Sequence, residues 1–263
     1  MNTSYKWVLY FTQNLKQQRI NWKTQPCITT KEKTAIVRSL QAWQLGETSD
    51  GNQLLCAATK HAIAVGDHSF VDAVALFIKE EQKHGRNLGK YLEAIGEQTI
   101  QHNWGDSLFR IVRHINTSME WFTLAVITVE NAAQVYYQCL KDATHCPLLK
   151  QICTDILIDE AYHIDFQVER MNIVYKDKGS ITKWLCKQFY RLFYFATILT
   201  IWITHKKVFK AGGNGFRQYI RKMTQKYKRT LGRVGDKPEA NTVKSAGERR
   251  IGNLAAYLKS TIN

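Results

Sequence analysis

The sequence predicts an all-α protein: a four-helix bundle of two antiparallel hairpins, followed by a basic helical tail. Three observations carry that prediction. Only 3 prolines and 15 glycines punctuate 263 residues, too few for the many turns of an all-β sandwich. Apolar residues recur at steps of three and four through four stretches of about 25 residues each. The charge is also unevenly divided. Residues 1–179 hold 19 Lys and Arg against 19 Asp and Glu, whereas residues 180–263 hold 18 against 3, which accounts for the whole net charge of +15. A composition of 44% hydrophobic and 22% charged residues excludes wholesale disorder.

Residues 1–30 read as a polar, irregular extension with a short helix near 7–15. Over 30–65, Leu40, Trp43, Glu47, Leu54, Ala58 and His61 share one stripe, with Gly46 and Gly51 marking a bend. The turn GDHS brings Asp67 or Ser69 to cap a second helix over 69–94. Its stripe is Val74, Phe77, Ile78, Glu81, His84, Leu88 and Leu92. A third helix over 118–142 aligns Phe122, Val126, Glu130, Ala133, Tyr137 and Leu140, and the turn ATHCP ends it. A fourth over 147–174 aligns Leu149, Ile152, Ile156, Glu160, His163 and Gln167. Short links inside each pair imply antiparallel neighbours. The chain thus divides into an extension (1–30), a bundle (31–178), an aromatic and basic helical tail (179–234) and a flexible C-terminus (235–263).

The tail contains WLCKQFYRLFYFATILTIWIT, whose uncharged run 192–204 is shorter than the roughly 20 residues that span a bilayer. Three readings stand: a fifth helix packed on the bundle, an interfacial helix on an anionic membrane surface through 184–233, and nucleic-acid contact. For the last, Lys and Arg interleaved with Tyr are only a weak footprint. Truncation after Asp177 is expected to abolish vesicle binding if the second holds. Six cysteines without a CxxC pair, behind an N-terminus lacking a secretory apolar run, read as reduced thiols of a cytoplasmic protein.

The chemistry lies in the stripes. A carboxylate interrupts each otherwise apolar face, and an unpaired ionised carboxylate in a core is prohibitively costly. Two stripes also carry His three residues after Glu, Glu81-Gln-Lys-His84 and Glu160-Ala-Tyr-His163, so both side chains leave the helix on one face. Chance supplies roughly 0.4 such matches in a chain of this composition. Two matches, each on its apolar stripe and each preceded by an acid about 30 residues upstream, suit an O/N cage for two Fe or Mn ions. Four carboxylates and two neutral imidazoles would carry a charge that two divalent cations cancel. Glu80 and Asp159 point about 100° away from the ligand faces and are expected to face solvent or to support the ligands from behind. Gln134 and Asp165 are candidates to orient the histidines by outer hydrogen bonds. Tyr137, within a turn or two of the ligands, is a further candidate neighbour. Accordingly, Glu160→Ala is expected to lose metal and O2 consumption while Asp159→Ala keeps both. No dinucleotide fingerprint, P-loop or nucleophile elbow competes.

The order acid, ExxH, acid, ExxH over residues 32–175 resembles the ferritin-like superfamily of di-iron carboxylate proteins. FIKEEQKHGRNLGKYL and DEAYHIDFQVERM look most like uncharacterised bacterial members. The resemblance implies a bundle holding two metal ions, with Glu81 and Glu160 bridging, His84 and His163 terminal on one metal each, and Glu130 from the third helix. For the first helix, Glu47 and Asp50 both remain open. Internal symmetry favours Asp50, while the stripe and the family's usual glutamate favour Glu47. The implied activity is an oxidase or oxygenase using O2 or peroxide, an external electron donor and a small organic or lipid-like substrate. Iron oxidation or peroxide scavenging without an organic substrate, and a non-catalytic helical module tethered by its tail, are the rivals. A homodimer is compatible with all three.

Overall fold

The bundle forms from the helix pairs that the periodicity implies. The computed structural model describes residues 4–104 and 117–235, and among them there are helices and no strand. These are α1 (Tyr5–Asn14), α2 (Thr30–Glu47), α3 (Asn52–Val65), α4 (Ser69–Ala94), α5 (Met119–Asp142), α6 (Pro147–Lys176), α7 (Ser180–Ala211) and α8 (Phe216–Arg229), with a short 3₁₀ turn at Leu231–Arg233. The C-terminus expected to be flexible lies, except for Gly235, outside the described residues.

Local chemistry sets the ends of these helices. α2 starts at a capping box in which the Glu32 N–H donates to Thr29 Oγ1 at 3.2 Å and the Thr29 N–H donates to Glu32 Oε2 at 2.7 Å. Residues 30–65 do not form one helix. The chain breaks after Glu47 and restarts at Gly51, whose φ of +68° is open to glycine without strain. Space demands glycine there too, since a Cβ would lie 2.6 Å from Ile78 Cδ1. Neither Asp67 nor Ser69 caps α4. Asp67 instead accepts from Ser4 Oγ at 2.6 Å and from Arg170 Nη2 at 3.2 Å, tying the N-terminus to α6.

Two apolar clusters fill the interior. One gathers Leu40, Trp43, Leu88, Tyr136, Ile152 and Tyr194. The other gathers Phe11, Phe70, Phe77, Phe122 and Phe166.

The tail is built into this interior. α7 buries Tyr190, Tyr194, Ile198, Trp202 and Phe209, and α8 buries Tyr219 and Met223. His205 Nδ1 sits 2.7 Å from Ser39 Oγ of α2. Where α7 ends, Gly212 approaches α5 so closely that a Cβ would fall 2.7 Å from Cys139 Cα. Gly212→Ala should therefore cost about 1–3 kcal/mol by forcing the tail off α5, read as a lower midpoint in chemical denaturation. An unchanged midpoint would mean that the tail is not docked there.

Candidate metal centre

The site is a buried polar layer that four helices assemble. Glu47 is the last residue of α2, Glu81 and His84 lie on α4, Glu130 on α5, and Glu160 and His163 on α6. Their potential ligand atoms form two groups, Glu47–Glu81–His84–Glu160 and Glu81–Glu130–Glu160–His163, each with all atoms within 4.8 Å of one another. Glu81 and Glu160 belong to both. The two imidazole rings are 5.7 Å apart between centroids.

What surrounds these atoms bears on whether a cation fits. Glu160 Oε1 and Oε2, His84 Nδ1, His163 Nδ1 and Glu81 Oε1 are all buried with no hydrogen-bond partner. His163 Nδ1 stands 2.8 Å from Glu81 Oε1 yet lacks the alignment of a hydrogen bond. Each buried polar atom left so costs about 1–3 kcal/mol. Five of them aimed at one small space are what a pair of cations would satisfy, and carboxylate with imidazole is the donor set that borderline ions such as Fe and Mn accept.

The outer nitrogens of the histidines are held across the hairpins. His84 Nε2 is 3.0 Å from Asp159 Oδ2 of α6, and His163 Nε2 is 2.9 Å from Glu80 Oε2 of α4. A carboxylate only accepts, so each Nε2 carries the proton and each Nδ1 is left to face inward. Both carboxylates are fully buried, so the alternative of solvent-facing residues does not hold for Glu80 and Asp159. Gln134 and Asp165 lie half-buried on α5 and α6, outside the two groups. Tyr137, buried on α5, donates its hydroxyl to Glu47 Oε1 at 2.7 Å.

Asp50 lies outside both groups. It is exposed in the α2–α3 break and accepts from the Asn52 N–H at 3.2 Å and Nδ2 at 2.9 Å. The symmetry that favoured it assumes a continuous helix, and the break at Gly51 removes that assumption.

Three further residues belong to this network, and two of them, Asn14 and Arg19, carry no periodic signal. Asn14 Nδ2 donates to Glu80 Oε1 at 2.7 Å and to Asp159 Oδ1 at 2.8 Å, joining the two outer carboxylates. Arg19 Nη1 donates to Asp155 Oδ1 at 2.6 Å and Asp159 Oδ1 at 2.8 Å, and Lys83 Nζ reaches Asp159 Oδ2 at 2.7 Å. Asn14 ends α1 and Arg19 follows it in a non-helical segment, so only the tertiary fold brings them here.

The electrostatics follow from burial and crowding. Burial, with Glu81 and Glu160 adjacent, holds Glu47 well above the usual carboxylate range, and burial beside Glu81 raises Glu160. Against burial, the carboxylates around them raise His84 and, more strongly, His163. Without cations the layer therefore keeps protons.

One side of the layer opens into a cavity of about 500 Å³ whose walls include Trp43, Phe77, Ile78, Phe122 and Val126. Glu47, Glu81 and Glu130 face it, and residues 49–53 of the break form its polar rim. No protein-family model and no curated protein matches this chain. Several solved structures share its fold. R2-like ligand-binding oxidase with aerobically reconstituted Mn/Fe cofactor aligns over 87% of this chain and 92% of its own, at 17% identity and a TM-score of 0.56. A mutant of that oxidase with the aerobically reconstituted cofactor reaches a TM-score of 0.62 at 16% identity, over 87% and 93% of the two chains. Another, anaerobically reconstituted, gives 0.60 at 15%, again over 87% and 93%. At such identities the likeness is one of architecture, the ferritin-like helical fold.

Proposed function

We propose that this protein is a dinuclear non-haem metal oxidase acting on a small apolar organic substrate. The observation that carries the reading is the pair of four-residue groups sharing Glu81 and Glu160. In this reading Glu47 and His84 would hold one metal and Glu130 and His163 the other, with Glu81 and Glu160 available to both. Two iron ions, or manganese with iron as in the R2-like ligand-binding oxidases, suit the donors. When bound, such a pair supplies electrons to O2 or peroxide two at a time.

The chain's own contribution is positioning. Asp159 and Glu80 hold each imidazole in the tautomer that turns Nδ1 inward, and the Tyr137 hydroxyl holds Glu47. Phe77 and Phe11 pack against His163, with ring centroids 4.8 and 6.0 Å away, and keep water from that side. The cavity offers an apolar substrate a place against Glu81 and Glu130, and this favours an organic substrate over iron or peroxide handling alone.

Anaerobic titration should bind two Fe(II) per chain, and an O2 pulse should then be consumed. Under a tenth of a metal ion per chain would leave a non-catalytic helical module as the better reading. Large iron-cored oligomers would favour iron handling.

The tail supports a second role. No described helix is long and apolar enough to cross a membrane. The outer face of α7 nevertheless exposes Ile181, Trp184, Leu185, Phe189, Leu192 and Ile203, a stripe of about 33 Å at 1.5 Å per residue. Exposed Arg191, Lys206 and Lys207 lie on the same helix, a composition fitting an anionic lipid surface. Truncation after Asp177 is a poor test because it removes core residues. Trp184→Asp with Leu192→Asp leaves the buried face intact and should abolish co-sedimentation with phosphatidylglycerol vesicles. No sedimentation of the intact protein would end this reading.

A further inference from the structure

The segment 15–29 between α1 and α2 lies as a strap along α6. Its contacts run in register, descending in the strap as they ascend in the helix. Next to the Cys27–Cys146 contact, Gln151 of α6 pairs with the strap twice, accepting from the Asn21 N–H at 2.8 Å and donating from Nε2 to Thr24 Oγ1 at 3.4 Å. Arg19 then reaches Asp155 and Asp159. The strap thereby delivers Arg19, and behind it Asn14, to the outer carboxylates of the polar layer.

At its far end the strap is held by two thiols. The Cys27 N–H donates to Cys146 Sγ at 3.4 Å. Cys27 is exposed and Cys146 is buried, directly before Pro147 at the start of α6. Both are free. Against burial, the N–H groups of Leu149, Cys27 and Leu148 and the Tyr91 hydroxyl hold the Cys146 thiol below its ordinary value. Cys27, though its thiol is raised by desolvation and by Cys146, is the sulfur an oxidant can reach, and its neighbour, held below its ordinary value, is the better nucleophile of the two.

We propose that Cys27 and Cys146 form a peroxide-oxidisable pair whose disulfide locks the strap onto α6. Hydrogen peroxide meets Cys27 first: its O–O bond breaks, Cys27 becomes a sulfenic acid, and one water leaves. The Cys146 thiolate then attacks the Cys27 sulfur, the S–S bond forms, and hydroxide departs to become the second water. Two thiols lose two electrons and two protons, and one peroxide becomes two waters. The step is independent of the metal reading and stands or falls separately from it.

The test uses the full chain carrying Cys56→Ser, which removes the other exposed thiol. Stoichiometric hydrogen peroxide should remove two of the five remaining thiols, reversibly with reductant, and peptide mapping should find residues 27 and 146 joined. Trypsin cleavage at Lys16, Arg19 and Lys23 should slow several-fold on oxidation, because a cross-linked strap opens less often. Adding Cys27→Ser should abolish both effects, and this exposed position avoids the folding risk of Cys146→Ser. The absence of a joined peptide, Cys27 stopping at a sulfinic or sulfonic acid, or disulfides only between chains would each overturn the proposal.

Discussion

Glu160→Gln should raise the melting temperature of the metal-free protein and abolish two-metal binding at once. Both oxygens of Glu160 are buried without a hydrogen-bond partner, and Glu81 stands close enough to repel them. Glutamine matches the protonated acid without having to bind a proton, which relieves about 1–2 kcal/mol, or roughly 5 °C in a domain of this size. The same change deletes a bridging ligand, so the large stabilisation by Fe(II) in the parent should vanish. The opposed signs matter, because a residue with a purely structural role would lose stability in both states. A metal-free melting temperature that falls, or a retained two-metal stoichiometry, would refute the assignment.

The same groups set a pH dependence. Glu47 and Glu160 are raised above 4.5, and His84 and His163 above 6.5. All four bind protons more tightly folded than unfolded, so their contribution is complete below those ordinary values and is lost as pH climbs through the raised ones. The metal-free melting temperature should therefore fall steadily from about pH 5 to pH 8. Metal must displace those protons, so the Fe(II)-induced rise in melting temperature should grow over the same range. Parallel slopes for the two forms would contradict the proton-holding layer.

Asp159→Ala should be nearly as damaging, contrary to the sequence-based expectation that it keeps metal and O2 consumption. The carboxylate accepts from or pairs with His84, Lys83, Arg19 and Asn14. Its loss leaves Lys83 and Arg19, with side chains only 14% and 24% exposed, to share Asp155 alone, and unfolding should become easier by about 1–3 kcal/mol. Freeing the His84 ring should weaken metal binding by about 10- to 100-fold. Asp159→Asn keeps the volume and one acceptor oxygen, so it should recover much of the stability and less of the affinity. Denaturation midpoints and anaerobic Fe(II) titrations read the two effects separately. An alanine variant matching the parent in both would show that the network does not support the histidine.

Much of this is legible in the sequence. Helical periodicity placed Glu81, His84, Glu130, Glu160 and His163 on inward faces, because a side chain's direction on a regular helix follows from its position alone. The choice between Glu47 and Asp50 was not legible, since it turns on a helix break that Ile78, 27 residues beyond Gly51, helps to enforce. Nor was the burial of Glu80 and Asp159: a residue 100° off the ligand face is solvent-bound only if nothing covers it, and α1 with its strap does.

By itself, then, the sequence determined the helices, their pairing, the inward acids and imidazoles and the separate character of the tail, all properties of spacing and local charge. Tertiary structure alone decided which carboxylate of the first helix reaches the layer, which groups hold the histidines from behind, and that Asn14, Arg19 and the tail belong to the same body. Those outcomes rest on contacts between residues as many as 166 positions apart, and no local periodicity encodes them.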